Sequence, residues 1–130
     1  MSLLDRINAH PLPFAQLLGV AFTSAEPDAP RLVVRSALCI LGGFAHRRAV
    51  MSFTGTLGGA AAFVGLPEGA KGATTIESKT NFVAGAPSSS TLVGRCVSIH
   101  RGCRTQIWQT RVETEDGKLI ALATQTQMMP

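Results

Sequence analysis

The 130-residue chain has no tyrosine, one tryptophan and only 15% charged residues. With no aromatics interleaved among its basic residues, it lacks the stacking platform on which single-stranded nucleic acids are held. Its formal charge of +4 comes from 12 Lys and Arg spread from Arg6 to Lys118 rather than gathered into a stripe, so nucleic acid is not an expected partner. Small polyanionic ligands stay open. The three cysteines, Cys39, Cys96 and Cys103, are odd in number and show no CxxC spacing. That disfavours a disulfide framework or a zinc site and points to a reducing compartment, the cytoplasm. No apolar run approaches the roughly 18 residues of a membrane span. The start, MSLLDRINAHPLP, carries Asp5 and lacks the apolar centre of a signal peptide, so no membrane partner is expected. No GxGxxG occurs, and the region Gly69-Ala70-Lys71 lacks the Walker spacing, which removes the nucleotide-binding folds.

What is present is 45% hydrophobic sequence in a length suited to one domain, residues 1–130, with a core of its own. Its centre is the stretch Leu41 to Val64. Two glycines and His46 lead into Ala49, Val50, Phe53, Leu57, Ala60, Ala61 and Val64, spaced mostly by three and four as on one helix face. Gly55, Gly58 and Gly59 lie inside this segment, each costing about 1 kcal/mol against alanine. A sheet curled closely around the helix is the expected reason for them.

Around this helix the chain reads as strands. Ser2 and Asp5 form a capping-box pattern for a short opening helix, and Pro13 can start a second over Phe14–Leu18. Val20–Ser24 and Arg31–Ala37 read as strands joined by AEPDAP. The glycine-rich GLPEGAKGA ends the central helix. In the following strand Ile76, Ser78, Thr80 and Phe82 are expected on one face, and Thr75, Glu77, Lys79, Asn81 and Val83 on the other. Thr91–His100, Arg104–Glu113 and Leu119–Gln127 complete an antiparallel meander, with Asp116-Gly117 as a hairpin turn. The fold class is α+β, one sheet covering one helix. Unpaired sheet edges suggest a dimer that continues the sheet.

Three stretches carry a resemblance: GGFAH with AVM and TLGGAA; TTIESKTNF with AGAP; and HRG, TQIWQTRV and EDGKLIALATQTQ. Together they resemble the hotdog-fold acyl-CoA thioesterases of the phenylacetate-degradation (PaaI-like) type. The resemblance covers roughly residues 13 to 129 and implies an antiparallel five- to six-stranded sheet wrapped around a long central helix. It also implies a homodimer or a dimer of dimers (homotetramer), an acyl-CoA substrate and no cofactor. In that family His-Gly-Gly opens the helix and an acidic residue lies nine positions after the histidine. Here the histidine is His46, the glycine positions hold Arg47 and Arg48, the acidic position holds Gly55, and an upstream Asn position falls on Ile40. The family's later Ser or Thr falls on Thr75.

Thioester hydrolysis needs donors for a carbonyl oxygen becoming an oxyanion and a group that activates water. Backbone N–H groups of Arg47 and Arg48 at a helix start supply the first whatever their side chains. A carboxylate at position 55 would lie about 12 Å further along the axis, so the resemblance implies a site built from two subunits. Glu77, two residues from Thr75, is the nearest replacement for the missing acid. The site is thus expected to use His46, Arg47, Gly55, Thr75 and Glu77 for chemistry, with Gly43, Arg48, Arg101 and Arg104 contacting substrate and no metal. Two further readings stand beside hydrolysis. One is a hotdog protein that binds acyl thioesters without turnover; the other is a hotdog dehydratase, ranked last because no His pairs with an acid near the helix.

Overall fold

A computed structural model describes residues 4–5, 17, 44, 46–87 and 90–130, together with the backbone of 20–24 and 31–35. Leu4, Asp5 and Leu17 are helical; the rest of the two expected N-terminal helices lies outside the described residues, as do Cys39, Ile40 and Gly43. The elements are β1 (Val20–Ser24), β2 (Arg31–Arg35), α1 (Arg47–Val64), β3 (Thr74–Phe82), β4 (Thr91–Arg101), β5 (Thr105–Thr114) and β6 (Leu119–Met128). The six strands form one sheet in the order β1-β2-β4-β5-β6-β3, every pairing antiparallel. One sheet around one long helix is the hotdog fold that the sequence implies.

The helix begins where the sequence supplies a cap. His46 has extended backbone, and its Nδ1 accepts the Arg48 N–H. It ends at Gly65, whose N–H reaches back to Ala61 O at 2.9 Å. Gln106 on β5 donates to Gly65 O at 2.8 Å and accepts from Trp108 Nε1 at 2.8 Å, so the C-terminal end of the helix is tied to the sheet. The strands alternate as period two requires. In β5, Gln106, Trp108, Thr110 and Val112 are buried toward the helix. The hairpin glycine, Gly117, takes φ of 91°, which a side chain would resist.

The core is the face Val50, Phe53, Leu57, Ala61 of α1 against Leu92, Cys96, Trp108, Val112 and Ile120 of the sheet. Burying Phe53 and Leu57 contributes about 1.5–3 kcal/mol each. On β4, a Cβ at Gly94 would lie 2.7 Å from Leu57 Cδ2 and 3.0 Å from Phe53 Cζ, so this glycine admits both side chains. Among the aromatics, Phe53 and Trp108 are buried while Phe63 and Phe82 are exposed.

The helix glycines divide. Gly58 meets the expectation of close approach, because a Cβ there would fall 1.5 Å from Gln125 Oε1 of β6. Gly59 does not, since nothing lies within 4 Å of its Cβ position. Of these two helix glycines, the one that meets the sheet closely is Gly58, where the helix turns toward β6.

Strands β1 and β3 occupy the ends of the sheet. Almost all of β3 is exposed, on both of its faces.

Candidate functional site

At the start of α1 four N–H groups lack helical partners by geometry. His46 answers two of them. Its ring takes Arg48 N–H at 3.1 Å, and its carbonyl takes Ala49 N–H at 3.0 Å while also accepting the first regular helical bond, from Val50 N–H at 3.2 Å. The bond to Nδ1 requires a ring nitrogen without a hydrogen, so the capping form is the neutral ring protonated at Nε2. Among the described residues Arg47 N–H has no partner, and it stands at the positive end of the helix dipole.

That free donor sits beside a cleft of about 610 Å³ lined by Phe44, His46, Arg47, Val50, Ile120 and the segment Phe82–Ala86. The segment is held to the sheet by Val83 N–H and Ala84 N–H, which share Ile120 O at 2.8 and 3.2 Å. The Phe44 ring lies against Gly85, where a Cβ would be 2.8 Å from Phe44 Cδ1. Apart from His46 and Arg47 the lining is apolar, which suits a hydrocarbon or aryl group whose polar end meets the helix start.

Gly55 lies two turns along α1, about 12 Å from Arg47. It faces neither the cleft nor a carboxylate. A Cβ at position 55 would be 3.9 Å from Gln125 Nε2. Gln125 is 2% exposed, and its Nε2 donates to Thr54 O at 3.2 Å and to Ser78 Oγ at 3.4 Å. Its neighbour on the same strand face, Gln127, is 1% exposed; Gln127 Nε2 donates to Gln125 Oε1 at 3.5 Å and to Thr75 Oγ1 at 2.8 Å. Thr75 Oγ1–H returns a bond to Gln127 Oε1 at 3.0 Å. Two buried amides and two hydroxyls therefore form a linked row on the sheet, with Gln125 beside the position that the resemblance assigns to an acid.

The register of β3 corrects one expectation. Thr75 pairs with Gln127, but Glu77 pairs with Thr126 and Ser78 with Gln125, the shift falling between Thr75 and Glu77. This bulge inserts Ile76 and breaks the period of two. Thr75 thus joins Ser78, Thr80 and Phe82 on the face toward α1, while Glu77 points with Lys79 and Asn81 to the outer face. Thr75 and Glu77 do not share a face, and Glu77 is not beside Gly55. Further along the inner row, Thr80 Oγ1 is buried with no hydrogen-bond partner.

The arginines also separate. Arg47 and Arg48 are exposed at the helix start. Arg101 lies at the opposite end of α1, where its Nη2 donates to Gly65 O at 3.5 Å. Arg104 is exposed in the turn after β4. Within one chain, Arg101 and the Arg47 N–H are the length of an 18-residue helix apart, about 27 Å. Cys96 offers no nucleophile: burial raises its thiol to about 11, against a smaller opposing pull from Thr110. Among the described residues no group of three or more His, Cys, Asp and Glu could hold a metal, and no helix is long and apolar enough to cross a membrane.

Sequence reasoning missed Gln125, Gln127 and Ser78, together with the cleft wall Phe82–Ala86. The available signal was TQTQ in β6. It places two amides at alternate positions on a face that is otherwise apolar and turned toward helix glycines.

Comparison with known proteins agrees with this geometry. Residues 42–121 match the model of the thioesterase superfamily. A Mycobacterium tuberculosis protein provisionally named an esterase is 30% identical over 114 residues, spanning 85% of this chain and 81% of that protein. Its structure superposes with a TM-score of 0.85 at 26% identity, covering 92% of this chain and 97% of the other. The Escherichia coli PaaI protein from the phenylacetic acid degradation operon has the same fold, with a TM-score of 0.87 at 14% identity over 97% of this chain and 90% of that one. So does a hypothetical thioesterase from Streptococcus pneumoniae solved with coenzyme A, with a TM-score of 0.77 at 14% identity over 85% of each chain. A capped helix start beside an apolar cleft, in a sheet wrapped around that helix, thus accompanies a family match over most of the chain, which belongs to the thioesterase superfamily.

Proposed function

We propose that this chain hydrolyses acyl-CoA thioesters to the free acid and coenzyme A, at a site completed by a second copy of the chain. The observation that carries the reading is the unpartnered Arg47 N–H at the dipole's positive end, set beside an apolar cleft of about 610 Å³. The acyl group enters the cleft, and the thioester carbonyl meets Arg47 N–H, which stabilises the oxygen as negative charge develops. His46 caps the helix and so fixes that donor's direction. Water supplies hydroxide to the acyl carbon, the C–S bond breaks, and the proton released leaves with the thiolate. The coenzyme A found with the Streptococcus pneumoniae protein supports this substrate class. The exposed side chains of Arg47, Arg48 and Arg104 are suited to its phosphates.

A second copy is called for because Gly55 stands about 12 Å along the helix axis from Arg47. The β3 edge has a single neighbour, and exposed Met51, Ile76, Phe82 and Val83 lie on or beside it; such an apolar edge is normally covered. Sedimentation at micromolar concentration should give a dimer or a dimer of dimers; a monomer would contradict the shared site. Free Cys96 and Cys103 fit work in the cytoplasm.

A second reading is favoured by one observation, the amides of Gln125 and Gln127 where an acid would serve. An amide holds water but does not take its proton, so the chain on this reading binds acyl thioesters without efficient turnover. Steady-state thiol release from aryl, short and medium-chain acyl-CoAs, with CoA binding measured in parallel, separates the two. Turnover supports hydrolysis; binding alone supports the second reading; neither would sink both.

A further inference from the structure

The hydroxyl that the resemblance assigns to the site is Thr75, but its hydrogen and one of its two lone pairs are turned inward, to a glutamine that is not the one beside Gly55. Thr75 Oγ1 accepts from Gln127 Nε2 at 2.8 Å and gives its hydrogen to Gln127 Oε1 at 3.0 Å. Ser78 differs. It accepts from Gln125 Nε2 at 3.4 Å, which leaves the Ser78 hydrogen and one lone pair uncommitted. Ser78 is exposed, whereas the amide that holds it is 2% exposed and fixed at its other hydrogen by Thr54 O. The same amide lies 3.9 Å from where a side chain at position 55 would begin. Ser78 therefore borders the space above Gly55, on an immobile support.

Resting on the hydrolytic reading above, we propose that Ser78, rather than Thr75, is the hydroxyl that binds the attacking water, and that Gln125 is the residue that positions it. The free lone pair of Ser78 Oγ takes one hydrogen of the water and turns the water's oxygen toward the thioester carbon. Ser78 is neither nucleophile nor base here, and no bond to it forms or breaks. Gly58 is part of the same device, since only a glycine there lets Gln125 Oε1 lie against the helix.

Kinetics and a complex test this together. Ser78→Ala is expected to lower kcat about tenfold with KM within about twofold, the scale of one hydrogen bond lost from a reacting group. Ser78→Thr should retain most of the rate, and Thr75→Val should lose several-fold less than Ser78→Ala. Gln125→Leu should match Ser78→Ala, and the double variant should fall no further, as expected of residues acting as a unit. Thermal unfolding of each variant separates these effects from loss of fold. A crystal structure with a carbon-for-sulfur acyl-CoA analogue should place an ordered water on Ser78 Oγ with Thr75 still on Gln127. A larger loss in Thr75→Val than in Ser78→Ala, or water on Thr75 with Gln127 turned away, would overturn the assignment while leaving hydrolysis intact. A wild-type protein that binds the analogue without turnover would sink hydrolysis, and the crystal complex would then decide the Ser78 contact. Neither binding nor turnover would overturn both.

Discussion

Gly55 and Gly58 lie three residues apart on one face of α1, before the same glutamine side chain, and yet they are glycines for different reasons. A Cβ at Gly58 would fall 1.5 Å from Gln125 Oε1, whereas one at Gly55 would sit 3.9 Å from Gln125 Nε2, an ordinary contact. Packing requires the first; nothing in the packing requires the second. The helix therefore carries a structural glycine, which seats Gln125, beside a position where the packing leaves room for a side chain. At the N-terminal end of the same helix the donor that the proposed hydrolysis uses is made of backbone, and so does not depend on which side chains stand at positions 47 and 48.

This contrast can be broken most forcefully at Gly58. Gly58→Val should displace Gln125 and destabilise the fold by about 2–3 kcal/mol, the usual scale of overpacking, read as a lower thermal midpoint. The alanine pair sharpens it. Gly55→Ala should be neutral or stabilising by up to about 1 kcal/mol through helix propensity. Gly58→Ala sets that same gain against buried hydrogen bonds of Gln125 worth about 1–3 kcal/mol, and so should come out the less stable of the two. Equal midpoints for the two alanine variants would mean that Gln125 relocates freely. At the helix start, His46→Ala should cost about 1 kcal/mol in stability and lower thioester turnover, whereas His46→Asn, which keeps a capping acceptor, should restore stability. Smallest of all, Glu77→Gln on the outer sheet face should move stability by less than about 0.5 kcal/mol.

The frame of the fold was legible because it rests on periodicity. Apolar spacing of three and four located α1, and alternation with Asp116-Gly117 located β5 and β6 to within a residue or so. The helix start was legible as well, since His46 caps it where the spacing begins, and any helix start offers N–H groups. The face of Thr75 was not legible. A bulge at Ile76 reverses a strand face without any glycine or proline to announce it, so counting by two put Thr75 with Glu77. Nor was Gln125. It stands 67 residues from Gly58 and 70 from Gly55 in sequence, and only the register of β3 on β6 brings its amide to Gly55 and Ser78.

The account turns on position 55, and the most direct measurement compares thiol release by wild type and Gly55→Asp over the same panel of acyl-CoAs. A carboxylate there has room beside Gln125 Nε2 and can accept the uncommitted hydrogen of Ser78 Oγ. The account predicts a rise in kcat of about tenfold or more, the low end of what a positioned base contributes, with little change in stability. An unchanged rate across all chain lengths, in a variant that folds and assembles as wild type does, would contradict it.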